Sequence, residues 1–142
     1  MRIGITILVI LLAGALALYF FYQPLHKAPV GESAVTISST RYEEIAKDIA
    51  RNINDISPTP PTAPNWQVES VEFVKGTAYA YVDYNDMHNL FRLLLEIHDN
   101  SSGLRYILKA AFEPGSSGWK LVHGEDLGAN KEVSKITINN LK

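Results

Sequence analysis

The chain of 142 residues contains no cysteine. That excludes disulfide staples, thiolate metal sites, cysteine nucleophiles and a lipidated N-terminal cysteine. It also lacks a basic surplus: 13 Lys and Arg stand against 15 Asp and Glu, a formal charge of −2. A protein that coats nucleic acid needs the opposite balance, so no nucleic-acid partner is expected. Three catalytic spacings are missing as well. There is no H-x-x-x-H or H-E-x-x-H pair and no G-x-S-x-G elbow, and Gly115-Ser116-Ser117-Gly118 lacks the lysine that would make it a phosphate loop. What remains is ordinary: 46% hydrophobic and 20% charged residues, the composition of a folded chain, neither disordered nor fibrous. The length holds one core beside a membrane segment, not two.

Charge is also absent from Ile3 to Tyr22. Twenty residues at about 1.5 Å each cover roughly 30 Å, the thickness of a hydrocarbon core. Tyr19, Phe20, Phe21 and Tyr22 gather at one end, where amphipathic rings favour the headgroup level, and Pro24 stops the helix. Ala15-Leu16-Ala17 fits a signal-peptidase site, but the apolar run continues for five residues beyond it. The expectation is an uncleaved anchor over 1–23, with its N-terminus inside and the rest of the chain outside the cytoplasmic membrane. Arg2 before the span against Lys27 after it gives only a slight charge bias.

A tether over 24–39 follows, broken by Pro24, Pro29 and Gly31. Thr40 with Glu43 three residues on has capping-box spacing. Tyr42, Ile45, Ala46, Ile49, Ile53 and Ile56 then recur at helical steps, which predicts one amphipathic helix ending at Ser57 before Pro58. Residues 57–65, with Pro58, Pro60, Pro61 and Pro64, read as a stiff extended connector. Beyond it come strand patterns at Trp66–Lys75, Thr77–Tyr84, Leu90–His98, Leu104–Phe112 and Trp119–His123, divided by turn and loop residues. Short connections imply hairpins, hence an α+β domain over 40–127: one long helix on a curved antiparallel sheet of about five strands. The polar tail, 128–142, has Ile136 and Ile138 two apart; it either adds an edge strand or stays apart from the domain.

This order of elements, over Thr40–His123, resembles the cystatin-like folds and the related nuclear-transport-factor-2-like cone, which implies a sheet wrapped around the helix. Cystatin inhibitors carry a Q-x-V-x-G loop. Gln67-Val68-Glu69-Ser70-Val71 has neither its spacing nor its glycine, so protease inhibition is not carried over. Tyr81-Val82-Asp83-Tyr84 and the stretch Gly118–Asp126 also resemble segments of small membrane-anchored bacterial proteins, which implies location rather than activity.

No residue is expected to be catalytic, and no metal or cofactor is expected. The favoured reading is a non-enzymatic binding or assembly module with a protein partner in the cell envelope. Its surface is placed on the sheet face away from the helix, at Arg92, Leu94 and His98 on one strand and Ile107 on the next, a mixed apolar and charged strip. The same face includes Glu96, with Arg105, Lys109 and Ala111 beside it. Leu94 and Ile107 are either exposed anchors there or covered by tail or tether. The alternative is a ligand-binding or enzymatic pocket on the concave face, using Asp83 with His88 or His123 as acid–base groups.

Overall fold

The computed structural model describes residues 36–62 and 64–138. The expected anchor and most of the expected tether therefore lie outside the described residues. Among those described, no helix is long and apolar enough to cross a membrane.

One helix packs on a six-stranded antiparallel sheet. The helix, α1 (Tyr42–Ile56), is preceded by a 3₁₀ turn at Ser39–Arg41. The capping box does not form. The Thr40 hydroxyl bonds that of Ser38 at 2.9 Å, and no side chain caps the first turn. At the other end Ser57 is extended, with ψ 130°, because a following proline excludes it from helical space. Its amide still donates to Ile53 O at 2.9 Å. The apolar stripe falls where the periodicity puts it: Tyr42, Ile45, Ala46, Ile49 and Ile53 are all buried.

The strands are β1 (Gln67–Val74), β2 (Tyr79–Asn85), β3 (Leu90–Asn100), β4 (Gly103–Gly115), β5 (Gly118–Gly124) and β6 (Val133–Thr137). Their order in the sheet is β5-β4-β3-β2-β1-β6. The first five form the hairpin meander that short connections demand. The sixth comes from the polar tail, which returns to pair with β1, Val71 opposite Ile136. Ile136 and Ile138 then pack on the helix-side core.

Two hairpins are longer than their sequence suggests. β3 and β4 close on Ser101-Ser102, and β4 and β5 on Ser116-Ser117, so segments that read as loops are ladder. Asn100 Oδ1 holds the first turn by accepting from the Ser102 amide at 3.0 Å. Pro114 sits inside β4 opposite Trp119. The pairing of β3 with β4 ends at Arg92 and Phe112, so proline's missing N–H has no strand to face there.

The face toward α1 holds the main core, where Tyr42 stacks on Phe73 with ring centroids 4.0 Å apart. Trp66 packs edge-on against Tyr84 at 4.9 Å. A β-bulge at Glu69 keeps both Val68 and Val71 on this face although they are three residues apart.

The proline connector is held at Thr59, whose carbonyl accepts from Trp66 Nε1 at 2.9 Å, and at Thr62. Asp86, fully buried in the β2–β3 turn, accepts from the Thr62 amide at 2.7 Å and the Thr62 hydroxyl at 2.5 Å. The amides of Asn89 and His88 donate to it at 2.8 and 3.1 Å. These bonds, the Thr62 hydroxyl foremost, hold the carboxyl well below the usual carboxylate range although burial opposes them. A depressed folded pKa contributes stability that is complete above the unfolded value and lost as pH falls. Asp86→Asn, which turns an amide donor toward donors, should lower Tm by several degrees at pH 7. The gap to wild type should narrow below about pH 4, the ordinary range of an unfolded aspartate. Melts across pH 2.5–7 (roughly the span over which aspartate titrates) read this directly, and a gap that widens on acidification would refute it.

Candidate functional site

The sheet face away from α1 has its own chemistry. The β2–β3 register sets Asp83 opposite Arg92, Tyr81 opposite Leu94 and Tyr79 opposite Glu96. Arg92 Nε and Nη2 donate to Asp83 Oδ1 and Oδ2 at 2.6 and 2.8 Å, a bidentate fork. Nη2 also donates to Glu72 on β1 at 3.1 Å. Ser70 adds a hydroxyl to Asp83 at 3.2 Å, and Lys135 on β6 reaches Glu72 at 3.0 Å. The guanidinium lies 5.1 Å from the Tyr81 ring centre and 4.9 Å from that of Trp119, within cation–π range of both.

The segment after β5 closes over this cluster. The Tyr81 hydroxyl donates to Asp126, whose Oδ1 also accepts the Gly128 amide at 3.2 Å. Burial, and then the Asp126 carboxylate, push the Tyr81 phenol well above its usual range. A side chain at residue 128 would place its Cβ 2.5 Å from the Tyr81 oxygen, so the approach depends on glycine. Leu127 and Trp119 pack on an apolar cluster of Val74, Tyr81, Leu94, Ala110 and Phe112. Between the segment and the sheet is a cleft of about 390 Å³ that includes Arg92, Trp119 and Lys131.

The predicted surface residues separate here. Leu94 is fully buried, with 0% exposure, because the 124–130 segment and β5 cover it; it is no surface anchor. Ile107 is half-buried opposite Glu96. Arg92 is largely covered and shared between two carboxylates. His98 lies 3.3 Å from Glu96, which Lys109 also reaches at 3.1 Å. A bulge at Lys109 turns Ala111 to the helix side, opposite Leu93, so Ala111 does not belong to the strip.

The alternative pocket does not assemble. Asp83 is committed to Arg92 on the face away from α1. His88 is exposed in the β2–β3 turn, and His123 pairs with Ala111 on the opposite face from Asp83. The cleft on the helix side, about 480 Å³, runs between α1 and β4 and contains none of the three. There the Tyr106 hydroxyl donates to Asp48 at 2.6 Å, and burial followed by that carboxylate raises the phenol above its usual range. Among the described residues no group of three or more His, Asp or Glu is placed to hold a metal ion.

One feature has no counterpart in the sequence pattern: among the described residues, strand β5 is an edge with no strand beyond it. Every residue of it is exposed except the half-buried Trp119. Leu121 and Val122 are 43% and 47% exposed. The signal was present in the adjacent apolar pair, but only strand order reveals that no strand among the described residues lies beyond it.

No family model matches the chain, and neither the curated proteins nor the solved structures give a match.

Proposed function

We propose that the protein is a non-enzymatic binding or assembly module, held by residues 1–23 at the outer face of the cytoplasmic membrane and arranged in the cystatin-like manner. One observation carries the reading: β5 offers a strand edge with two exposed apolar side chains, the kind of surface that captures another strand by main-chain hydrogen bonds. The charged groups on the neighbouring face are spent on one another. Arg92, Asp83, Glu72 and Lys135 form a continuous chain of ion pairs that fixes the sheet. The uncharged run before the domain supports membrane attachment. Confinement to a membrane raises local concentration, so a small contact suffices for useful binding.

Protease added to intact spheroplasts should digest the domain and leave an N-terminal membrane stub. A fully protected domain would overturn the orientation. Release of the intact chain into the soluble fraction would overturn the anchor.

A further inference from the structure

We infer that the unpaired half of β4, Gly103–Leu108, takes up an extended segment of a partner protein bearing lysine or arginine, as an added strand in the groove beside α1. The inference rests on the binding-module reading and moves the contact to the stretch of β4 that β5 leaves open.

Strand β5 covers only part of its neighbour. It pairs with β4 from Ala110 to Gly115, is broken by a bulge at Val122, and turns away at Gly124, whose φ is +80°. The last bond between them runs from the Glu125 amide to Lys109 O at 3.1 Å. From Gly103 to Leu108, β4 is therefore paired on its β3 side alone among the described residues. That stretch keeps its register with β3 unbroken, from Asn100 opposite Gly103 to Leu95 opposite Leu108. It has no proline, and Arg105 is its one charged residue. Asn100 and Gly103 flank Ser101-Ser102 and close the hairpin as a hydrogen-bonded pair. Alternation then turns the N–H and C=O of Leu104, Tyr106 and Leu108 away from β3, toward an incoming strand.

The same three residues line a groove. Two clefts of about 480 and 440 Å³ lie between α1 and β4 and share Asp48, Asn52 and Leu104, so one runs on into the other. Leu104, Tyr106 and Leu108 are half-buried there, an apolar floor beside unpaired main chain. The α1 wall is acidic. Asp48 and Asp55, about two helical turns apart, line it, and Asp48 is held only by the Tyr106 hydroxyl and Asp55 by no ion pair among the described residues. Glu44 and Asp99, at the other end, are taken by Arg41. This charge selects the occupant. A lysine or arginine on an added strand lays its methylenes over the floor and its cationic head against Asp48 or Asp55. An acidic strand meets like charge there.

The full chain, held in nanodiscs of a neutral-headgroup phosphatidylcholine, is titrated with fluorescent peptides and followed by anisotropy. A short peptide alternating lysine and valine should bind roughly tenfold more tightly than its glutamate–valine counterpart, the margin of exposed ion pairs over repulsion. The lysine peptide with its backbone amides N-methylated keeps its charge but cannot pair, and should lose binding to a similar degree. Asp48→Asn combined with Asp55→Asn should weaken the lysine peptide several-fold. The melt should stay near wild type, since an asparagine oxygen at 48 still accepts from Tyr106. A benzophenone-bearing lysine peptide should photo-crosslink to residues 104–108 or to α1. Equal binding of the lysine and glutamate peptides, or undiminished binding after N-methylation, would overturn the inference. Adducts confined to β5 would overturn it while the binding-module reading stands. No binding by any peptide would overturn the inference and remove the strand capture on which that reading rests.

Discussion

Leu94→Ser is expected to cost about 3–5 kcal/mol, near the upper end of large-to-small core substitutions, because it leaves a cavity and buries a hydroxyl. Leu94 has no exposed surface and sits among Val74, Tyr81, Ala110 and Phe112. A domain of this size loses roughly 4–8 °C in Tm per kcal/mol, so the melt should fall by about 15 °C or more. Ile107→Ser makes the matched comparison. The residue is half-buried at its ladder position beside Glu96, and its loss should stay below about 2 kcal/mol. Denaturant titration of both variants decides. A loss under about 1 kcal/mol for Leu94→Ser would return this residue to the surface.

Arg92→Ala should be as damaging, for an electrostatic reason. The guanidinium is shared by Asp83 and Glu72, and all three side chains are about 15% exposed or less. Removing it leaves two carboxylates close together without their common cation, which typically costs 3–5 kcal/mol, roughly the penalty for breaking a buried pair from one side. Arg92→Lys should recover only part of this loss, since an ammonium cannot fork onto Asp83, reach Glu72 and lie flat between Tyr81 and Trp119 at once. The double variant with Asp83→Ala should lose clearly less than the two single losses added. Additive losses would show that the pair contributes nothing as a pair.

Local pattern reveals which residues share a face, but not what lies over that face. The α1 stripe was legible residue by residue because helical period and burial coincide. Alternation in β3 likewise put Leu93, Leu95 and Ile97 in the main core. The same alternation put Leu94 outside, and its cover comes from Trp119 and Leu127, far downstream, which no local period announces. Asp83 and Arg92 were assigned to separate hypotheses, a pocket and a surface. The β2–β3 turn makes them direct partners, and symmetric counting outward from that turn would have joined them. The bulges at Glu69, Lys109 and Val122 add single residues to otherwise regular ladders, and nothing in their side chains marks them. The bare edge at β5 required the strand order, which is a global property.

The strand order also dictates how the chain must be completed. From β1 to β5 each strand lies beside its neighbour in sequence, so hairpins can close one after another over short loops with little entropic cost. β6 breaks that economy. It must return past four intervening strands to reach β1, and it delivers Ile136 and Ile138 to a core otherwise built by the first two-thirds of the domain. A chain emerging from the ribosome therefore has its helix and meander available before its last strand exists. Until residues 133–138 arrive, β1 is an open edge and part of the core is uncovered, so those six residues act as the clasp on a fold already laid out.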